Sequence, residues 1–587
     1  DTAHMHNPVA LKYLLAIALI VALLVILVFV IQDNTADYAI GNALPDAEER
    51  YKNADSGYQT EDADTDTAIP APSFNYNSGY YSGTLNLEIS ADSRCRIYYT
   101  LDASIPDNHS LLYTEPISIQ TSSGNEAAAL SDVDSATEDT VIVRAVAYGL
   151  FGMHSDVVTN VYFFDDETSS CHIPTIAIVT DPRNLYDETI GIFTNYMMYG
   201  WEREAQFSYF GIDGLIFQQN IGIRVRGSST RDGEQKSLTL YAREQYSNSK
   251  TFEHSFFDTD TNAFILRIRP IAQKEGFISS LVADRDVAVQ EYQMANLYIN
   301  QEYFGIYAFM NRVDTDFLGN KYNVDSDDIE YIKIGHIFAL PEENMEGYQQ
   351  FLAYEDYWTN TDMSIEDNYL QACEYVDMQS LIDYYAIQIY INNVDFSYKK
   401  NTLLWKTKNV ADGEYSDGRW RYGLFDLDFS IYFALDDTEW TYDFDFFTGD
   451  QPYVSPLYED PVFMSLMKSQ EFRQRFYVSF VEIAETNFNP ERVRALLDAQ
   501  PYQVNNDIIA EFFDQRPLYI FDDLDAFMEN YEAYYTTSEE PIAKPAVEPK
   551  DESIIDTIKE SETLLVGLPV FLLMLVWLII AYWRKYG

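Results

Sequence analysis

The stretch NNVDFSYKKN at 392–401 and, after a polar turn, GRWRYGLFDLDFSIY at 418–432 decides how this chain is read. Asp395 is followed six residues later by Asn401, and Asp426 and Asp428 alternate with Phe425, Leu427 and Phe429. That alternation predicts a strand with both carboxylates on one face. Upstream, Leu381, Ile382, Tyr385, Ile387 and Ile389 lie in a run free of Gly and Pro. They predict a helix over 379–392 that delivers Asp395 to the loop beyond its C-terminal end. Phosphoryl transfer from a nucleotide needs such parts: an aspartate to orient the attacking hydroxyl, and a second aspartate with an asparagine to hold Mg²⁺ against the phosphates.

Working outward, 587 residues exceed one compact core and predict several domains. With 94 acidic and 38 basic residues the net charge is −56, which repels polyanions and excludes nucleic acid as a partner. Cys95, Cys171 and Cys373 are odd in number and fit no zinc or disulfide pattern, and the seven histidines form no HExxH motif. Metallohydrolase and disulfide-scaffold readings fall away.

Two uncharged runs, Tyr13–Ile31 and Leu564–Tyr582, are long enough to span a bilayer. Lys12 precedes the first and Arg584 and Lys585 follow the second, so the positive-inside rule predicts a plasma-membrane protein with both termini cytoplasmic and the body outside. The expected order is an anchor (1–31), an acidic linker (32–71), a β-sandwich (72–164), a larger mixed domain (173–434), a helical extension (435–535), a second acidic linker (536–563) and a C-terminal span (564–583). The linkers are acidic and poor in large apolar residues, which leaves them too little apolar area to offset the entropy of ordering.

Between 72 and 164, short alternating runs (LNLEIS, RIYYTL, YTEPISIQ, TVIVRAVAY, NVYFF) separated by turn residues predict a small sandwich. The run Ile97-Tyr98-Tyr99-Thr100-Leu101-Asp102-Ala103-Ser104-Ile105-Pro106, followed by Tyr113-Thr114-Glu115-Pro116-Ile117, resembles the chitobiase/β-hexosaminidase C-terminal-type Ig-like module. The glycine usual in its Leu-Asp-Gly-Ser turn is Ala103 here. A spacer role is expected of the module, with carbohydrate as the ligand it could take.

In the larger domain, apolar alternation predicts strands at 219–226, 236–242, 296–300, 304–310 and 419–427. Arg226-Gly227-Ser228-Ser229 offers a turn whose backbone N–H groups could approach an anion, and Lys236 on the following strand could pair with phosphate oxygens.

The motifs Asn184-Leu185-Tyr186-Asp187, Trp201-Glu202-Arg203-Glu204-Ala205, Gly222-Ile223-Arg224-Val225-Arg226-Gly227-Ser228-Ser229, Gln235-Lys236-Ser237-Leu238 and Tyr298-Ile299-Asn300-Gln301-Glu302-Tyr303-Phe304-Gly305, with the Asp395/Asn401 loop and Asp426-Leu427-Asp428, together resemble the spore-coat CotH kinase family. The resemblance implies an α+β, atypical protein-kinase-like domain behind the Ig-like sandwich, flanked by two transmembrane helices. It implies transfer of phosphate from Mg-ATP to Ser or Thr of envelope or coat proteins. It assigns Asp395 as catalytic aspartate, Asn401, Asp426 and Asp428 as metal ligands, and Arg226, Gly227, Ser228 and Lys236 as nucleotide contacts.

This chain departs from the family pattern at Phe425, where Trp is common, at Gln301 (Gly) and at Asn311 (Glu). The helix expected to carry an Arg-Asp pair is altered around Ile268 to Gly276, which leaves Lys236 without an evident Glu partner. The competing expectations are an inactive kinase-like scaffold and a carbohydrate-binding envelope protein.

Overall fold

The β-branched run TVIVRAVAY forms the longest strand of the N-terminal module, Thr140–Tyr148, and is largely buried on both faces because they meet two different cores. The computed structural model describes residues 69–119, 140–164, 173–227, 231–268, 271–334, 345–435, 438–500 and 506–536. Within the module a five-stranded sheet runs in the order Gly79–Tyr80, Val158–Phe163, Thr140–Tyr148, Arg96–Thr100, Leu111–Leu112. Val143 and Ala145 turn inward onto Leu87, Ile89, Ile97 and Ile119 of the sandwich core. Ile142, Val161 and Phe163 turn outward and share a second buried cluster with Ala177, Val179, Phe210 and Tyr298 of the next body.

That seam explains two departures from the family pattern. Ala103 adopts a left-handed backbone (φ 64) and is wholly buried in the shared cluster, so its methyl fills space a glycine would leave open. Gln301 donates from Nε2 to the carbonyl oxygen of Leu101 at 2.5 Å, tying the barrel hairpin to the sandwich.

The next body is a closed barrel in the strand order Thr175–Val179, Arg203–Gly211, Gly214–Arg226, Ser237–Tyr241, Ala263–Ile268, Glu302–Asn311, Tyr292–Ile299. It is closed by parallel pairing of Tyr292–Ile299 with Thr175–Val179. Phe207, Phe256, Phe264 and Phe309 fill its interior, with centroids 4.7 Å apart for Phe264 and Phe309 and 5.1 Å for Phe256 and Phe309. Asn311 is buried at the end of its strand, and neither side-chain polar atom has a partner.

Beyond the barrel, a sheet of Ile329–Ile334, Thr402–Thr407 and Arg421–Gly423 packs with a helical lobe. At its centre is the helix Met378–Tyr390, in which every residue except Gln379 is buried. Asp377 caps its N-terminus by accepting from the N–H groups of Gln379 and Ser380. The helix ends where Asn392 turns left-handed (φ 56), close to the predicted boundary. The helices Pro461–Met467, Gln470–Thr486, Pro490–Asp498, Asn506–Gln515 and Pro517–Asn530 follow. From Asn530 onward the chain is a separate unit, whose described part is the short helix Ala533–Thr536.

Mixed α/β architecture with a β-rich N-terminal region is therefore the observed fold class. Two expectations change. The strand predicted at 419–427 ends at Gly423, and the helix expected to be altered is an eleven-residue helix, Ile271–Leu281. The runs Tyr13–Ile31 and Leu564–Tyr582 lie outside the described residues; among those described, no helix is long and apolar enough to cross a membrane.

Candidate active site

The loop after helix Met378–Tyr390 holds Asp395 and Asn401 against each other. Asn401, left-handed at φ 54, donates from Nδ2 to the Asp395 carboxylate at 2.9 Å and to its backbone oxygen at 3.0 Å. The Lys400 ammonium bonds the other Asp395 carboxylate oxygen. Burial pushes the Asp395 carboxyl above its ordinary range; Lys400 and Asn401 oppose that rise, and nearby Asp426 adds to it. The buried Oδ1 of Asn401 has no hydrogen-bond partner.

A residue from the extension secures the start of this loop. Arg516, wholly buried, donates from Nε to the carbonyl of Tyr390 at 3.1 Å and from Nη2 to that of Ile389 at 3.3 Å. Its Nη1 reaches the carbonyls of Tyr442 and Phe444 at 2.8 and 2.7 Å. It thus supplies a donor to the Tyr390 carbonyl at the helix C-terminus and adds a second one to that of Ile389, which already accepts from the Asn392 N–H.

Two backbone hydrogen bonds fasten the second acidic segment to the first: Val394 N to Phe429 O at 3.2 Å and Ile431 N to Ile391 O at 2.7 Å. Asp426 and Asp428 do not sit on a strand face, because Asp426 takes a left-handed backbone (φ 58) that breaks the alternation. In that conformation its N–H donates to Glu275 Oε1 at 2.8 Å. Arg267, at the end of strand Ala263–Ile268, joins both aspartates: Nη2 lies 2.7 Å from Asp426 Oδ1 and 3.8 Å from Asp428 Oδ2, and Nη1 pairs with Glu275. Lys274 fixes the loop from below by donating to the carbonyls of Asp428, Ser430 and Tyr432.

Helix Ile271–Leu281 reaches this position because Gly276 packs against the Tyr292 ring; a Cβ at 276 would lie 2.4 Å from it. The helix presents its Glu to Arg267 and not to Lys236.

The two aspartates are driven apart in acidity. Burial opposes ionisation of Asp426, yet Arg267, Lys333 and Arg226 hold it below the ordinary range. Burial and the charge of Asp426 push Asp428 up to about 6. Around them stand Arg226, Arg267, Arg312 and Lys333. The Lys333 ammonium rests 3.9 Å from the Phe425 ring centroid, and burial together with Arg226 brings its pKa down to about 7. A chain of net charge −56 thus sets four cations around its two aspartates here, which suits a polyanionic ligand.

Of the residues picked out from sequence, Asp395, Asn401, Asp426, Asp428 and Arg226 come together here. Lys236 does not join them: its Nζ donates to the carbonyl of Arg231 at 2.6 Å and lies 4.4 Å from the Tyr196 ring centroid. Gly227 has a left-handed backbone (φ 109), and Ser228 lies outside the described residues. Arg267, Glu275, Lys274, Lys333, Lys400 and Arg516 were not singled out from sequence. Strand parity was an available signal, since Lys236 shares the side of Leu238 and Leu240, which line the barrel interior.

The donor set suits a metal ion shared with phosphate. Among the described residues no group of three or more His, Cys, Asp or Glu could hold a metal by itself. Mg²⁺ commonly takes one or two carboxylates and completes its shell with phosphate oxygens and water. The unpartnered oxygen of Asn401 and the crowding of Asp428 by Asp426 fit that arrangement.

Comparison with known proteins gives three results. The family model described as CotH kinase protein matches residues 223–540, more than half of the chain, and the model described as Fn3 associated matches 85–162, within the sandwich. Among solved structures, the crystal structure of a Helicobacter pylori proinflammatory kinase CtkA aligns at 11% identity and a TM-score of 0.28, covering 50% of this chain and 95% of that one. No curated protein matches the chain.

Proposed function

The chain belongs to the CotH kinase family, and on that premise we propose that the cleft transfers phosphate from a magnesium-bound nucleoside triphosphate to a Ser or Thr hydroxyl of another protein. One observation carries the reading: Asp395, Asn401, Asp426 and Asp428 meet Arg226, Arg267 and Lys333 at a single site. Asp395 accepts the proton of the attacking hydroxyl, for which a carboxylate made more basic by burial is suited. Lys400 and Asn401 keep it oriented toward that proton. The triphosphate, with its Mg²⁺, supplies the phosphoryl group and a leaving group whose charge is neutralised. Asp426, Asp428 and Asn401 would hold the metal, and Arg226, Arg267 and Lys333 would face the phosphates.

The apolar runs at either end of the chain support an anchored protein working outside the plasma membrane, and hence substrates in the envelope or a coat layer.

Calorimetric titration of Mg-ATP into the full chain, beside Asp426→Ala, tests the site. Saturable binding that the variant loses is expected, with phosphotransfer falling at least about a thousandfold. Absence of binding by correctly folded wild type overturns the reading.

A further inference from the structure

The sandwich carries an apolar surface that neither the cleft nor the seam with the barrel uses. Strand Thr140–Tyr148 runs into the turn Gly149-Leu150-Phe151-Gly152-Met153, in which Leu150 is 67%, Phe151 99% and Met153 48% exposed. Phe151 has a left-handed backbone (φ 62), a conformation that disfavours a bulky side chain, and its nearly complete exposure leaves no packing to offset that cost. The turn has no acidic, basic or amide side chain.

The surface continues onto the sheet. Tyr148 meets Tyr98 edge-on at 5.6 Å, and Tyr98 lies directly opposite Leu112, itself exposed. Two tyrosines therefore border an aliphatic and phenylalanine tip, the distribution that suits a water–lipid boundary.

The foot of the same turn is where the described chain begins. Ile69 Cδ1 packs at Gly149, where a Cβ would lie 2.6 Å from it. Ile69 follows the acidic stretch 32–68 and, before that, the predicted span Tyr13–Ile31. The chain coming from the membrane thus enters the fold beside the apolar tip.

We propose that the Leu150–Met153 turn inserts into the interfacial layer of the bilayer to which the chain is anchored, with Tyr98 and Tyr148 at headgroup level. The proposal rests on the sequence-predicted span and is independent of the kinase reading. A fully extended 32–68 stretch could let the sandwich stand off by up to about 130 Å, so the turn, and not the chain length, sets its height. Net charge of −56 selects a zwitterionic over an anionic surface. A saccharide is a poorer match, because Leu150 and Met153 offer it no hydrogen bonds.

The test uses the full chain in phosphatidylcholine liposomes containing a phosphatidylcholine with a photoreactive acyl chain, with lipid adducts mapped by peptide mass spectrometry. Adducts are expected on the peptide carrying Leu150–Met153 as well as on Tyr13–Ile31. The double variant Leu150→Ser/Phe151→Ser should lose the first set by about tenfold or more and keep the second. Phe151→Asn, whose side chain tolerates the left-handed backbone, should weaken the adducts without lowering the melting temperature. Adducts confined to the apolar runs, no adducts at all, cross-links between two copies through the turn, or protection of the turn by saccharide would each overturn the proposal.

Discussion

The two faces of the barrel strands carry opposite chemistry one residue apart. On the inner face the side chains of Val225, Leu266 and Phe309 pack among rings and aliphatic chains. On the outer face Arg226 and Arg267, their immediate neighbours, meet Glu275, Asp426 and Asp428. The inner face is stabilised by removing apolar area from water, which is insensitive to pH and salt. The outer face is held by mutual compensation of buried charges, each of which is costly without the others. Strand register alone separates the two regimes, so a site of mutually compensating buried charges is mounted on the wall of a closed, ring-filled barrel.

The largest expected effect breaks this contrast from the outer side. Arg267→Met leaves Glu275, Asp426 and Asp428 facing one another and should cost about 3–5 kcal/mol in urea denaturation at pH 8. Phe309→Ala should cost a similar amount, about 3–5 kcal/mol, through cavity formation. The two differ in pH dependence. With Arg267 gone the carboxyls have folded pKa values above their unfolded ones, so the variant's stability falls as pH rises through that window and the deficit is smaller near pH 5. The Phe309→Ala deficit should stay constant. Equal pH profiles would abolish the distinction between the faces.

Next in size, Arg516→Leu removes the group that fixes the carbonyls of Ile389 and Tyr390 ahead of Asp395. A fall of about 10–100-fold in kcat is expected, with KM for nucleotide little changed, since Arg516 acts through the loop and not on the phosphates.

Lys333 sharpens the comparison by titration. Its folded pKa of about 7 lies below that of the unfolded chain, so between about pH 7 and 10 the folded protein binds fewer protons and stability rises with pH. Lys333→Met removes that rise: its melting temperature relative to wild type should be most favourable below pH 7 and decline above it. A pH-independent difference would show that the ammonium is solvated. Asp428, raised to about 6, contributes with the opposite slope, losing stability as pH rises from about 4 to 6.

The smallest effect belongs to the inner face. Asn311 is buried with both side-chain atoms unpartnered, and Asn311→Leu should stabilise the protein by about 1 kcal/mol, read as a higher urea midpoint at unchanged slope.

The Asp395 loop was legible in the sequence because its determinants are local: helical spacing before it, and an aspartate and asparagine six residues apart. The barrel hairpin of Tyr292–Ile299 and Glu302–Asn311 was legible for the same reason, as two alternating runs around a turn. Asp426 and Asp428 were expected on a strand face, but the left-handed turn at 426 is supported by Glu275, far away in the chain, which local sequence does not reveal. The helix Ile271–Leu281 was expected to be altered because its Arg-Asp pair is not evident in the sequence, and only the contact of Gly276 with the Tyr292 ring reveals why glycine stands there. Lys236 was preferred to Arg267 because a lysine after a glycine-rich turn suggests a phosphate contact, whereas strand parity decides which cation faces the carboxylates.

The seam between sandwich and barrel has a mechanical consequence. Phe163 packs on Phe210 and Tyr298 at 5.1 and 5.0 Å, and Gln301 spans from the hairpin to Leu101. Load applied to the sandwich therefore passes through these rings and this hydrogen bond into the hairpin of Tyr292–Ile299 and Glu302–Asn311, so the seam works as a bracket between the first module and the barrel.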